Sequence, residues 1–534
     1  MTVPAETNQG RFLTRRLDPV AVALFLLGVA LLLVVSRLDF RNSAANWDLL
    51  NYHAYTPAAL LSGTWFSDIH PANIQSFLAP YQDLMWWPLI SGAPAPVATA
   101  VIVAIEISIF IPAGLILRSL VPALSLARSM GLGLVGISGA MLASELGTTN
   151  GDPLPAILIS WAVYLLLSIL SDRALRAGRR ACLAGILAGA AVVLKFSVAF
   201  VCPGFLVFVA ALLLSGRRRS ALLFPVAAVV TTIVLYAPWA LVLQNQAGSP
   251  MFPFYNAIFH APRSPLVNIQ DARFPVTSVS ALAGLPIGQA LGTSATSEIP
   301  IRDPRWALAF LAIGLGLVAI AIRARSSLAR SSWRVHLPAV TLFGFWALSY
   351  ATWAFVFGIQ RYAMILEVLA VPIVVVGTYM VLPNLPNRTA LLMLLVLVVF
   401  LGATTRIAPA GRRPMAWAPL FPTQTIEPTS RYEAIVIGSD PLAYIRAVTR
   451  DAPGASKQVW IGRPFNDADR VVAVSALTGR SIGVLFYPNA RAAAEATAAS
   501  LGLRITADCQ TFDNPLGSDF ISRSAEICTA VPAT

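Results

Sequence analysis

Apolar runs of roughly 18 to 24 residues, separated by short stretches that carry arginine, recur along most of this chain. Wound as a helix at about 1.5 Å per residue, such a run matches the roughly 30 Å of hydrocarbon in a bilayer. The runs lie at about 18–37, 97–117, 129–146, 153–171, 181–200, 203–215, 221–243, 306–322, 337–357, 362–382 and 389–405, which predicts eleven transmembrane helices. Composition agrees. Of 534 residues 57% are hydrophobic and 12% charged, with a mean hydropathy of +0.71, where a soluble domain carries about 25% charged residues. Soluble enzymes and DNA-binding proteins are excluded on that ground.

The arginines orient the runs. With the N-terminus in the cytoplasm, the loops on that side hold Arg11, Arg15, Arg16, Arg118, Arg128, Arg173, Arg176, Arg179, Arg180, Arg217, Arg218, Arg219, Arg323, Arg325, Arg330, Arg334 and Arg388. Against these 17 stand three acidic residues, Glu6, Asp18 and Asp172. That is the positive-inside pattern, so the net charge of +13 is a topology signal and no nucleic-acid partner is expected. The first run is too long for a signal-peptide core and no small-residue cleavage site follows it, so it reads as a retained span. The arginine and alanine bias suggests a bacterial inner membrane as the location.

The same parity predicts three external segments: 38–96, 244–305 and the stretch from 406 to 534. The expected domains are therefore a membrane module, 1–405, and an extracytoplasmic α/β domain, 406–534. In the latter, Glu433–Gly438, Ser481–Tyr487 and Leu503–Thr511 read as strands and Asn489–Leu501 as an alanine-rich helix. Cys509 and Cys528 form an external pair, and spacing alone leaves open whether they join. Cys182 and Cys202 fall within spans and read as packing residues.

Chemistry-bearing residues gather in the first external segment, in Trp47-Asp48-Leu-Leu-Asn51-Tyr52-His53-Ala-Tyr55, Ser67-Asp68-Ile-His70 and Tyr81-Gln-Asp-Leu-Met-Trp86-Trp87. On a helix Asp48, Asn51, Tyr52 and Tyr55 share one face, which predicts an amphipathic helix in the membrane interface presenting a carboxylate. A plain aromatic belt is the alternative. Lys195, in an apolar run, reads as a cavity cation or as the partner of Glu106 or Glu367. Asp152 precedes Pro153 at a helix start, where it serves either as a cap or in the site. Asp68, His70 and His53 form a conceivable set of metal ligands without a recognised spacing, so a divalent metal stays open and no cofactor is assigned.

The first outer loop resembles that of the polytopic GT-C glycosyltransferases. So do Thr148-Thr-Asn-Gly-Asp152 at the fourth span, Ser249-Pro-Met-Phe-Pro-Phe-Tyr-Asn256 after the seventh and Gly358-Ile-Gln-Arg361-Tyr362 before the tenth. The resemblance implies inverting transfer of a sugar from a polyprenyl-phosphate donor to a glycan, lipid or protein acceptor on the outer face, with the first-loop aspartate as base. The chain lacks the adjacent acidic pair that some members carry after the first span. The chemistry itself needs a carboxylate to take the acceptor's proton and cationic donors to hold the leaving phosphate. Asp48 is the first expectation for the base and Asp68 the second. Arg361 and Lys195 are expected at the phosphate, and Asn51, Tyr52, His53, His70, Asp152 and Tyr362 in the binding set. A transporter or flippase for lipid-linked sugars, with its polar groups at mid-membrane, is the alternative class, and a scaffold whose tail binds cell-wall polymer is a third.

Overall fold

A computed structural model of the chain describes residues 38–39, 47–171, 176–325, 333–384, 387–408, 413–514, 516 and 522–533. The span expected at 18–37 lies outside them, as do Arg11, Arg15, Arg16, Arg173 and Arg330. Among the described residues eight helices are long and apolar enough to cross a membrane: Ala95–Leu120, Pro153–Ser171, Ala177–Leu194, Phe196–Leu214, Arg218–Ala247, Arg305–Ala324, His336–Val356 and Gln360–Val381.

Two of the expected spans differ. The run at 129–146 is a helix over Leu126–Ile137 that breaks at Ser138-Gly139 and restarts as Ala140–Glu145. The run at 389–405 folds as a helix, Asn387–Thr404, whose Arg388–Thr404 stretch stands among the shorter apolar helices and outside the eight. The segment 244–305 adds an apolar helix, Val279–Leu291, that no run predicted.

Small residues let the helices approach. A Cβ on Gly185 would lie 2.3 Å from the Phe224 carbonyl oxygen, and one on Gly189 would lie 2.4 Å from that of Ala228. These two glycines, four apart on one helix face, seat Ala177–Leu194 directly on the backbone of Arg218–Ala247, the packing that replaces a hydrophobic drive inside lipid.

The break after Ile137 frees backbone N–H groups, which lipid cannot satisfy. Buried carboxylates do so. Ala140 N donates to Asp303 Oδ2 at 2.8 Å, and Met141 N and Leu142 N donate to the two oxygens of Glu367 at 3.2 and 3.0 Å. Gly147 N donates to Glu106 Oε2 at 2.6 Å. Glu106 and Glu367 are thus committed to the backbone of this segment, and neither pairs with Lys195 as the sequence had suggested.

Successive helices alternate in direction, so the chain has two distinct ends. One collects Arg118, Arg180 and Arg323, whose guanidinium groups donate to Leu124 O, Ser168 Oγ and Met380 O. The other collects the first outer segment, 138–152, Lys195, 248–304, 357–363 and a sheet domain. That sheet contains β1 (Ala434–Ile437), β2 (Val459–Ile461), β3 (Ile482–Phe486), β4 (Leu503–Asp513) and β5 (Ser524–Pro532), in the order β2-β1-β3-β5-β4. β1 runs parallel to β2 and β3, and β5 runs antiparallel to β3 and β4. β2, β5 and the helix Asp467–Leu477 had no clear signal in the sequence. Cys509 and Cys528 face each other across β4 and β5 and are joined by a disulfide.

Side chains alternate across a strand, and here both faces are buried. Ala434 and Val436 pack with Ala473, Leu477, Ala494 and Ala498 of the domain's own helices. Ile435, Ile437 and Trp460 pack instead with Tyr444 and with Leu49, Leu50, Trp86, Trp87 and Ile90 of the first outer segment. The sheet therefore shares a core with the loop that carries Asp48.

Candidate active site at the sheet-domain end

That shared core corrects the expectation of an interfacial helix. Leu49–His53 forms a π-turn, closed by Ala54 N donating to Leu49 O at 3.1 Å, and all five residues are buried. An i→i+5 turn sets residues five apart over one another, which brings Asp48 and His53 to one side. Trp65, Trp86 and Trp87 are also buried, so they form core rather than a belt.

Asp48 accepts a charge-assisted hydrogen bond from Arg361 Nη1. Arg361 also faces Glu298, with Nε 3.3 Å from Oε2, and its guanidinium lies 5.3 Å from the centre of the Tyr362 ring. Lys195 Nζ stands over the same ring at 5.3 Å, 2.7 Å from Asp152 Oδ2, and donates to Asn150 O at 2.7 Å. Asn150 and Thr148 in turn donate to Glu145 Oε2 at 2.6 and 3.0 Å. His53 Nδ1 meets Asp83 Oδ1 at 2.5 Å, with both side chains buried. Burial raises Asp48, but Arg361 and His53 outweigh it and hold the carboxyl below its usual range. For Asp83 burial prevails over His53 and the carboxyl is raised. Several buried polar atoms here have no hydrogen-bond partner among the described residues: both side-chain heteroatoms of Asn51, His53 Nε2, Thr149 Oγ1 and Asp152 Oδ1. Buried polar groups are nearly always satisfied, so this collection is open to water or to a polar ligand.

Of the residues named from sequence, Asp48, Asn51, Tyr52, His53, Asp152, Lys195, Arg361 and Tyr362 share this end of the helices. Asp68 and His70 belong to a different constellation. Asp68 pairs with Arg446, accepts from Tyr55 Oη at 3.3 Å and from Trp460 N at 3.0 Å. His70 Nε2 lies 2.7 Å from Asp469, which also binds Arg263 at 2.9 Å, and the His70 ring stacks on Phe465 at 4.3 Å. Ile69 bridges to Ile461 of β2, and a Cβ on Gly462 would meet the His70 carbonyl oxygen at 2.2 Å. These two residues fasten the first outer segment to the sheet domain, and neither contacts the Asp48 group. The ligand set of Asp68, His70 and His53 is likewise corrected, because each of the three has a different partner. Among the described residues no group of three His, Cys, Asp or Glu gathers to hold a metal ion.

The chain is similar to ArnT from Cupriavidus metallidurans. Against the ArnT structure bound to undecaprenyl phosphate the identity is 14% and the TM-score 0.39, covering 95% of this chain and 97% of that one. Against ArnT in the apo state the values are 14% and 0.37, covering 96% and 98%. At these values the match to ArnT transfers no residue role. No family model matches the sequence, and no curated protein does.

Sequence reasoning missed Asp83, Glu145 and Glu298 as members of the group. Asp83 stood in a quoted segment, two residues after Tyr81. Glu145 carried a weaker signal as a lone acid at the end of an apolar run.

The two carboxylates of the junction titrate in opposite senses. Burial raises Asp68 to about 6, against the opposing pull of Arg446, Trp460 N–H and Tyr55. An unfolded aspartate titrates near ~3.9, so the folded chain holds the extra proton between those values and this group's contribution worsens as pH rises through that window. Asp469 is raised by burial but lowered further by His70, and its net value is depressed; its contribution is complete above about pH 4 and is lost below. The melting temperature of the parent relative to Asp68→Asn is therefore expected to rise as pH falls from 7 to 5 in detergent. A difference that stays flat or falls over that interval contradicts the assignment.

Proposed function

We propose that the protein is a membrane glycosyltransferase that moves a sugar from a polyprenyl-phosphate donor to an acceptor on the outer face, with inversion at the anomeric carbon. The observation that carries this reading is the buried cluster in which Arg361 and Lys195, both against Tyr362, stand beside unpartnered polar atoms at the mouth of the helices. A planar guanidinium grips two phosphate oxygens, and the ammonium adds a second positive charge where the leaving group gains its negative one. The long apolar helices beside it suit a polyprenyl tail. The sheet-domain end faces away from the cytoplasm in this reading, in keeping with the arginines at the opposite end.

Asp48 holds Arg361 in place here. A carboxylate engaged by a guanidinium and held below its usual range is a weak proton acceptor, so a second group on the same turn becomes relevant. The sugar and the acceptor are set by pocket shape. A transporter would expose the donors of its broken helix to cargo, whereas here those of Ala140–Glu145 are bound by Asp303 and Glu367.

Mass spectrometry of lipid-linked sugars and envelope glycans in a deletion strain tests the reading. One envelope glycan is expected to lose a sugar while the matching polyprenyl-phosphate sugar accumulates. An unchanged glycan and lipid profile overturns it.

A further inference from the structure

We propose that His53, oriented by Asp83, is the group that takes the proton from the acceptor hydroxyl. The inference rests on the glycosyl-transfer reading above and names the base within that site.

Three observations carry it. First, His53 Nδ1 lies 2.5 Å from Asp83 Oδ1, and both side chains are buried. Asp83 reaches this position from a different element, the helix Tyr81–Gly92, so the contact is a product of the fold and not of local sequence. With the proton on Nδ1, the imidazole is fixed in the tautomer whose Nε2 carries a free electron pair. Second, Nε2 is buried and has no hydrogen-bond partner among the described residues. A histidine placed only for packing would leave that atom in water or bonded to a neighbour, since an unmet buried polar atom is destabilising. Third, the π-turn sets His53 on the side of Asp48, whose carboxylate Arg361 has engaged. The charged and titratable groups facing His53 are Asp48 on its own turn, Asp83 opposite, and the Tyr52 ring at 4.0 Å. Lys195 acts electrostatically on both Asp48 and Asp83.

The acceptor oxygen forms its bond to the anomeric carbon while the bond from that carbon to the phosphate oxygen breaks. The electron pair leaves with the polyprenyl phosphate, toward Arg361 and Lys195. The acceptor's proton passes to His53 Nε2, and the imidazolium, stabilised by the Asp83 carboxylate, returns it to water after product leaves.

Membranes of the deletion strain carrying each variant, with their own lipid-linked donor and acceptor, provide the test, and transfer is read by mass spectrometry as the restored glycan. His53→Gln is expected to lower the rate by about 10²- to 10⁴-fold, while purified protein in nanodiscs binds undecaprenyl phosphate as the parent does. Asp83→Asn keeps the shape but removes the charge that supports the imidazolium, so the acid limb of its pH–rate profile moves to lower pH. A merely structural role would leave the profile where it is. Imidazole added to His53→Gly is expected to restore part of the rate. A His53→Gln rate of at least half the parent's, or an unmoved profile in Asp83→Asn, overturns the proposal. If the parent gene itself restores no glycan, the glycosyl-transfer reading fails and the dyad falls with it.

Discussion

Arg361→Ala is expected to abolish measurable transfer, with a loss of at least 10²- to 10³-fold, the order found when one donor to a developing negative charge is removed. The guanidinium is the hinge of the site: it binds Asp48, faces Glu298 across 3.3 Å and lies on Tyr362. Without it Asp48 loses its ion-pair partner, Glu298 keeps only Arg273 at 3.8 Å, and Lys195 stays with Asp152 at 2.7 Å. Removing one member of a buried ion pair costs about 3–5 kcal/mol, because the other charge is left uncompensated, so a loss of folded protein has to be separated from a loss of chemistry. The double variant Asp48→Asn with Arg361→Ala does this. Its melting temperature is expected to recover most of what Arg361→Ala loses, while transfer and undecaprenyl phosphate binding stay absent. Arg361→Lys should recover only a small part of the rate, since an ammonium cannot reproduce the two-pronged grip. Undecaprenyl phosphate binding at parental affinity in the double variant would show that the phosphate is held elsewhere.

Which parts of this arrangement a reader of the sequence can find follows from what each residue violates. Lys195 is one of two lysines in the chain and sits in an apolar run, and Arg361 lies at the end of the helices opposite Arg118, Arg180 and Arg323. Both are costly in lipid unless they serve something, and both reach the site. Asp48 and His53 were legible because an aromatic belt has no need of a carboxylate and an imidazole among its rings. Their partners were not legible, because Asp48 and Arg361 are 313 residues apart and no local pattern encodes that pairing. The break in the 129–146 run had a local signal, Gly136-Ile-Ser138-Gly139, but an apolar window averages over two glycines. Asp68 and His70 misled for a different reason. They look like catalytic residues because they are polar groups in an outer loop, yet the surface they face is the sheet domain, whose packing on that loop exists only in three dimensions.

That packing leads to the second large effect. Arg446→Ala is expected to detach the sheet domain from the first outer segment, at a cost of about 3–5 kcal/mol. Arg446 is buried, reaches Asp68 at 3.3 Å and donates to Ala455 O at 2.7 Å and Gln458 O at 3.1 Å. It thus ties the loop to the segment that feeds β2. Loss of the guanidinium leaves the Asp68 carboxyl facing only Tyr55 and Trp460 N–H, and the neutral form then becomes the favoured one. Because Leu49 and Leu50 share a core with Ile435 and Trp460, loosening the domain also loosens the turn that carries Asp48 and His53. A lower melting temperature in detergent, faster tryptic cleavage between the membrane helices and β1, and reduced transfer are expected together. If transfer falls while melting and cleavage match the parent, the domain acts on substrate rather than as the support of the turn. If all three are unchanged, the Asp68–Arg446 pair carries no weight in the junction, and the His70–Asp469–Arg263 contact is what holds it.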